Sequence, residues 1–441
     1  MNKPVAVPPA PTVLPSRPLA FLWHYICQRP WHFGGLATLV ISAAICAVAV
    51  QYGMKLLVDA MAEGSDQRAT ADVWAPLWLF LGLIVVENVF WRLGGWLGCR
   101  TVVASCVDIR VDLFRYLTGH PMRYFNEHFA GSLGNRISAV GQAAGTIYGG
   151  LAWKIVPPIV DFIGAVVVLL TVDWRMAAAL VVFVIVVALL ITGFGIRGRS
   201  KHQRFAAQAA RVGGELVDAV SNVWTIKAFS ARDREAQRLA QEIGSEARAQ
   251  RRSWMYLEKA RVLHDICLSL MAGGMLVWAI RSWLGGSVSA GDVVLVSALT
   301  FRILHGSRDL ALALVDTTQQ VGAIADTLRI INQPHGLADP EPRLTLEAGD
   351  IDFEHVRFGY PERPAIFEDF NLHIPAGQAV GIVGASGAGK STLLALLQRL
   401  DDVHGGQILI DGQDVRQVSQ DSLREKIAVV PQETALFNRN I

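Results

Sequence analysis

Residues 384–392 read GASGAGKST. Gly384, Ala385, Ser386, Gly387, Ala388, Gly389, Lys390, Ser391 and Thr392 meet the pattern G-x-x-x-x-G-K-[ST]. These residue types suit phosphate. The glycines let consecutive backbone N–H groups turn inward on an anion, and a following helix N-terminus adds positive potential. Lys390 would reach the β- and γ-phosphates, and Ser391 would ligate Mg²⁺. Such a loop needs a strand before it and a helix after it. AVGIV, ending at Val383, reads as a buried strand, and STLLALLQRL reads as a helix with Leu at helical spacing.

A second set of polar residues lies inside long apolar stretches, where polar groups are costly and mark function. Arg302, His305 and Asp309 fall at i, i+3 and i+7, on one helical face. They are the best substrate contacts the sequence offers, with pairing among themselves or to nearby backbone as the structural alternative. Lys154 and Asp161 are also seven apart, with Pro157 and Pro158 between them to kink the helix. Glu87 and Arg92 are a weaker pair of the same kind. The five cysteines, Cys27, Cys46, Cys99, Cys106 and Cys267, include no CxxC pair and suggest neither a zinc site nor a disulfide framework.

The elements that must position these residues follow from hydropathy. Of 441 residues, 52% are hydrophobic and 18% charged, and mean hydropathy is +0.35. That is the balance of a membrane protein with a soluble part attached. The net charge of +2 gives no sign of a nucleic-acid partner, and none is expected. Six stretches can span the hydrocarbon, near 32–56, 75–98, 146–171, 175–196, 263–284 and 290–315. Trp31, Trp74, Trp96, Tyr148, Trp174 and Trp283 near their ends suit the interfacial aromatic belt. Two long connections, 99–145 and 197–262, read as helix and imply that the membrane helices continue beyond the bilayer. They turn near Phe125–Gly134 and Ser221–Ser230. The second carries fourteen Lys and Arg, whereas residues 57–74 carry one, Arg68. Positive-inside bias therefore puts both long connections and both chain ends in the cytoplasm.

Residues 1–30 read as a disordered Pro- and Ala-rich tail with a short amphipathic lead-in from Leu19 to Gln28. The expected membrane domain is 31–332. Pro334, Pro340 and Pro342 mark a linker over 333–345. From 346 to 441 the texture is α/β, with strands expected in DIDFEHVRFGY, GGQILIDGQDV and EKIAVVPQE.

With these motifs in place, residues 20–441 resemble the ATP-binding cassette (ABC) exporters. That family fuses six transmembrane helices to one nucleotide-binding domain. The fold class implied is a multi-domain membrane protein. An all-α six-helix transmembrane domain would be followed by the N-terminal part of an α/β P-loop domain. VRFGY looks like the family's aromatic loop, so Tyr360 would stack on adenine. VVPQE looks like its Q-loop, so Gln432 would touch Mg²⁺ and the attacking water. The turns near 125–134 and 221–230 sit where the family has coupling helices. The resemblance implies ATP and Mg²⁺ as cofactors and ATPase activity. It also implies a second half-transporter as partner, in a homo- or heterodimer, and alternating access in the bilayer. The family's signature loop, Asp-Glu strand end and switch histidine all follow the Q-loop and are not in these residues, so the chain is expected to be a fragment of a longer protein. A nucleotide domain that senses or gates without hydrolysis, or an inactive truncated subunit, is the alternative. Ala- and Arg-rich, Lys-poor usage fits a GC-rich bacterium and hence its inner membrane. The transported substrate is left open.

Overall fold

The computed structural model describes residues 14–63, 73–127, 130–337, 339–360, 364–385 and 387–430. They form two compact units, each contributed by several chain segments. One contains residues 29–102 and 147–318. The other contains the N-terminal segment to 28 together with 103–146 and 319–441.

The first unit is built from long apolar helices: α2 (Pro30–Glu63), the start of α3 (Trp74–Thr118), α6 (Val156–Val172), α7 (Trp174–Ser221), α9 (Arg232–Leu284) and α10 (Ala290–Ile331). A π turn, Leu151–Ile155, joins α5 (Ala130–Gly150) to α6. Proline supplies no N–H to the helical ladder. Here Val156 N–H reaches back to Leu151 O ahead of the Pro157–Pro158 pair, widening the helix locally. Asp173 caps α7 by accepting Arg175 N–H (2.8 Å), which makes the tight hairpin expected from VDWR. Ser289 and Asp292 cap α10 reciprocally, at 2.9 and 3.0 Å. Leu169, Met176, Leu180, Leu268, Met275, Leu295 and Leu299 form the core of this unit. Gly164 and Gly306 permit close approaches between its helices. A Cβ on Gly164 would lie 2.9 Å from Val48, and one on Gly306 would lie 3.2 Å from Pro158.

Among the described residues five helical segments are long and apolar enough to cross a membrane. The expected sixth, in α10, is a continuous helix of 42 residues. Its apolar run is interrupted by Arg302, His305, Arg308 and Asp309. Of the aromatic residues expected at the interface, Trp31, Trp74, Trp96, Trp174 and Trp283 are exposed. Tyr148 is instead a core residue, buried edge-on against Phe33 at 5.2 Å. Short helices occupy the regions of the two expected turns: α4 (Met122–Glu127) and α8 (Val223–Ala228). Residues 1–13 of the expected tail lie outside the described residues, and α1 (Pro18–Gln28) is the lead-in helix.

The second unit holds an antiparallel sheet of β1 (Ile351–Phe358), β2 (Phe367–Ile374), β3 (Gly405–Ile410) and β4 (Gln413–Asp414), in the order β2-β1-β3-β4. Asp411 and Gly412, at φ 48° and 75°, make the two-residue turn between β3 and β4. Two positive φ angles are what the right-handed twist of a tight hairpin requires. α11 (Lys390–Leu397) and α12 (Gln420–Glu425) pack on this sheet through Leu393, Leu396 and Leu423.

Two strand expectations are corrected. Residues 379–383 are not in a strand, and Val383 is 93% exposed. Residues 427–430 are likewise unpaired, with Val430 at 94%. A buried strand exists only if neighbours take up its N–H and C=O groups, and no described strand pairs with either segment. The described residues of the expected linker form neither helix nor strand, but they are pinned. Pro342 O accepts Ser419 N–H (2.7 Å), Leu344 N–H reaches Ser422 Oγ (2.9 Å), and Arg343 pairs with Glu425 (2.7 Å).

Candidate functional site

The phosphate loop is set by its glycines. Gly387 and Gly389 stand at φ 86° and 89°, a left-handed conformation that other residues adopt only with strain. Gly389 is the N-cap of α11, and a Cβ there would meet Ile366 Cγ2 at 2.6 Å. The close approach of β2's leading residues to the loop therefore requires glycine. Lys390 Nζ donates to Gly384 O and Ala385 O, both at 2.8 Å, which holds the ammonium against the loop. Ser391 is exposed in the first turn of α11, while Thr392 is buried. Of the two hydroxyls, Ser391 is the accessible hard oxygen. Ammonium, loop N–H groups, helix N-terminus and hydroxyl together make a donor set that fits a phosphate with Mg²⁺. Ser386 and Gln432 lie outside the described residues.

Tyr360 lies at the end of β1, its ring edge-on to Phe358 at 5.2 Å, and Phe358 stacks on His404 at 5.2 Å. An open cleft of about 600 Å³ runs along Phe358, Tyr360, Ala365, Phe367 and Glu368. Phe367 Cζ is 3.2 Å from the position of a Cβ on Gly389. The structure thus brings the Tyr360 cleft against the N-terminus of α11. A smaller cavity of about 230 Å³ shares Phe358, Tyr360 and His404 and is closed by His120, Arg123, Tyr124, His335, Asp401 and Asp402. Burial pushes the Asp401 carboxyl up, against the pull of the Arg123 guanidinium. Sequence reasoning missed this polar wall. Its members come from segments up to about 280 residues apart and carry no motif.

In the apolar unit, Arg302, His305 and Asp309 do not pair with one another. Arg302 Nε lies 3.0 Å from Asp161 Oδ1, its N–H not aimed at the oxygen. His305 Nδ1 donates to Phe301 O on its own helix (2.8 Å). His305 and Asp309 are exposed. Asp161, seven residues from Lys154 in the sequence, is matched by the fold to Arg302. Ser307 and His264, 3.3 Å apart, add a polar contact that nothing in the sequence pattern announced.

Comparison with known proteins accounts for both units. Residues 34–307 match the ABC transporter transmembrane region, and residues 367–441 match the ABC transporter domain. An uncharacterized ABC transporter ATP-binding protein of Haemophilus influenzae is 28% identical over 98% of this chain and 72% of its own length. An ATM1-type heavy metal exporter of Novosphingobium aromaticivorans is 27% identical over 92% of this chain and 68% of its own. An ATP-dependent lipid A-core flippase of Pectobacterium atrosepticum is 25% identical over 92% and 70%. The solved structure of a bacterial Atm1-family ABC exporter with ATP bound shares the fold, with a TM-score of 0.78 at 24% identity. It covers 93% of this chain and 72% of that one.

Proposed function

The chain belongs to the ABC transporters, integral membrane proteins, and from that premise we propose that it is one half of an ATP-driven exporter. The observation that carries this is the loop at Gly384–Thr392: two left-handed glycines, an ammonium held at the loop and an exposed Ser391 at the start of α11.

In this reading ATP stacks its adenine on Tyr360 and runs along the cleft to the loop. Lys390 neutralises the β- and γ-phosphates. Loop N–H groups cradle them, and Ser391 with Gln432 would hold Mg²⁺, which would supply charge neutralisation for phosphoryl transfer. Gln432 also orients the attacking water. Two such halves, identical or different, close on two nucleotides. Closure favours one membrane conformation and hydrolysis restores the other, which is alternating access through a two-state element. Nucleotide drives the change only insofar as it binds the closed state better.

The domains are the transmembrane domain over 31–332, the linker over 333–345 and the nucleotide-binding part over 346–441. The nucleotide part and both long connections face the cytoplasm, in a bacterial inner membrane. Arg302, His305 and Asp309 meet the cargo. The named relatives carry different cargo, a heavy metal and lipid A-core, so the reading stays at export.

The test is binding of a fluorescent ATP analogue to the purified protein, followed by phosphate release. Saturable, Mg²⁺-dependent binding that Lys390→Ala weakens supports the reading. Binding without hydrolysis, in a dimer that carries the whole family motif set, moves it to a sensing or gating domain. Absence of binding removes it.

A further inference from the structure

An α-helix leaves its last carbonyls without donors from its own backbone. Where α10 ends, those donors come from another segment. Tyr124 Oη donates to Ile330 O (3.1 Å), His120 Nε2 to Ile331 O (2.9 Å) and Tyr116 Oη to Gln333 O (3.0 Å). The three residues are spaced i, i+4 and i+8 across the end of α3 and into α4. The capping is reciprocal. His335, just beyond α10, donates through Nε2 to Tyr116 O in the last turn of α3 (2.8 Å).

The rings interlock. His120 stacks on Tyr124 at 4.1 Å, and His335 lies 4.3 Å from Tyr116 and 4.7 Å from His120. Gly119 leaves room for this, because a Cβ there would be 3.0 Å from the His335 ring. Tyr116, His120 and Tyr124 are each at most 8% exposed. Burial raises both phenols, so they stay O–H donors at neutral pH. Moving α10's end away from the α3–α4 turn would strand several buried carbonyls at once. On one side the 230 Å³ cavity separates the assembly from Tyr360 and His404.

We propose that Tyr116, His120, Tyr124 and His335 are positioning residues of the transport reaction. By capping two helix ends reciprocally they make the end of α10 and the α3–α4 turn one body, which a nucleotide stacked on Tyr360 displaces as a unit across the cavity. The inference rests on Tyr360 and the phosphate loop being the nucleotide site.

The experiment is hydrogen–deuterium exchange of the purified protein with and without ATP·Mg²⁺, in wild type, Tyr116→Phe, His335→Ala and His335→Gln. Residues 384–392 report nucleotide binding, and residues 326–333 report the body. In wild type, ATP slows exchange in both by roughly threefold or more, as expected for a segment tightened through local opening equilibria. His335→Ala and Tyr116→Phe keep the response at 384–392 and lose it at 326–333. His335→Gln, which keeps an N–H within reach of Tyr116 O, restores it. If exchange at 326–333 rises equally with and without ATP while the nucleotide response persists, the contacts are structural only and the proposal is overturned. Absence of any response at 384–392 in wild type overturns the nucleotide reading itself.

Discussion

Lys390 is held by two carbonyl oxygens rather than by a carboxylate. Carbonyl dipoles leave its full charge available to an anion. Lys390→Ala should weaken binding of an ATP analogue by roughly 10- to 100-fold, the scale of lost charge-assisted hydrogen bonds. Gly389→Ala should lower the melting temperature as well as affinity, since φ is 89° and the new methyl meets Ile366. Asp411 makes a separate, pH-dependent contribution. Its carboxylate accepts N–H groups from Glu347, Ala348, Gly349 and Asp350, and these hold its pKa down at about 2. The folded value is depressed, so this stability is present above the unfolded value of about 4 and is lost as pH falls through about 2. An acid titration of thermal stability should show a slope between those limits, and Asp411→Asn should flatten it. The loop motif was legible in sequence because backbone geometry demands glycine at fixed offsets. The Asp411 cap was not, because an Asp before a Gly reads only as a turn.

At the scale of elements, the Asp161–Arg302 pair ties α6 to α10 beside the Pro157–Pro158 pair at the start of α6. Removing one member of a half-buried pair strands the other charge, whereas removing both with apolar residues of similar size is tolerated. Arg302→Met should therefore lower the melting temperature in detergent, and Asp161→Leu/Arg302→Met should recover most of the loss. If the double variant melts lower still, the pair is not what joins the helices. Helical periodicity placed Arg302, His305 and Asp309 on one face of α10. Periodicity says nothing about which neighbouring helix meets that face, and the match to Asp161 is decided by packing, where Gly306 lets Pro158 come close. The strands expected at 379–383 and 427–430 failed for the same kind of reason. Their apolar residues show a preference for burial, but pairing belongs to the neighbours, and no described strand supplies it.

At the scale of the whole molecule, a nucleotide that binds only the folded state must stabilise it. At a hundred times its dissociation constant the gain is about 2.7 kcal/mol. At that concentration ATP·Mg²⁺ should raise the melting temperature of the wild type clearly more than that of Lys390→Ala; an equal rise in both would place the ligand elsewhere. Residue order alone determined the class of this protein: long apolar runs, a glycine-rich loop ahead of a helix, and Tyr360 upstream of it. Each of these is a local constraint, set by hydrocarbon thickness, backbone sterics or chain spacing. Only the tertiary structure decided that the linker after α10 is pinned, that Tyr148 is core, that Arg302 meets Asp161, and that two helix ends cap each other through Tyr116, His120, Tyr124 and His335. Those depend on carbonyls and side chains far apart in sequence coming within about 3 Å, a hydrogen-bond distance that no local pattern encodes.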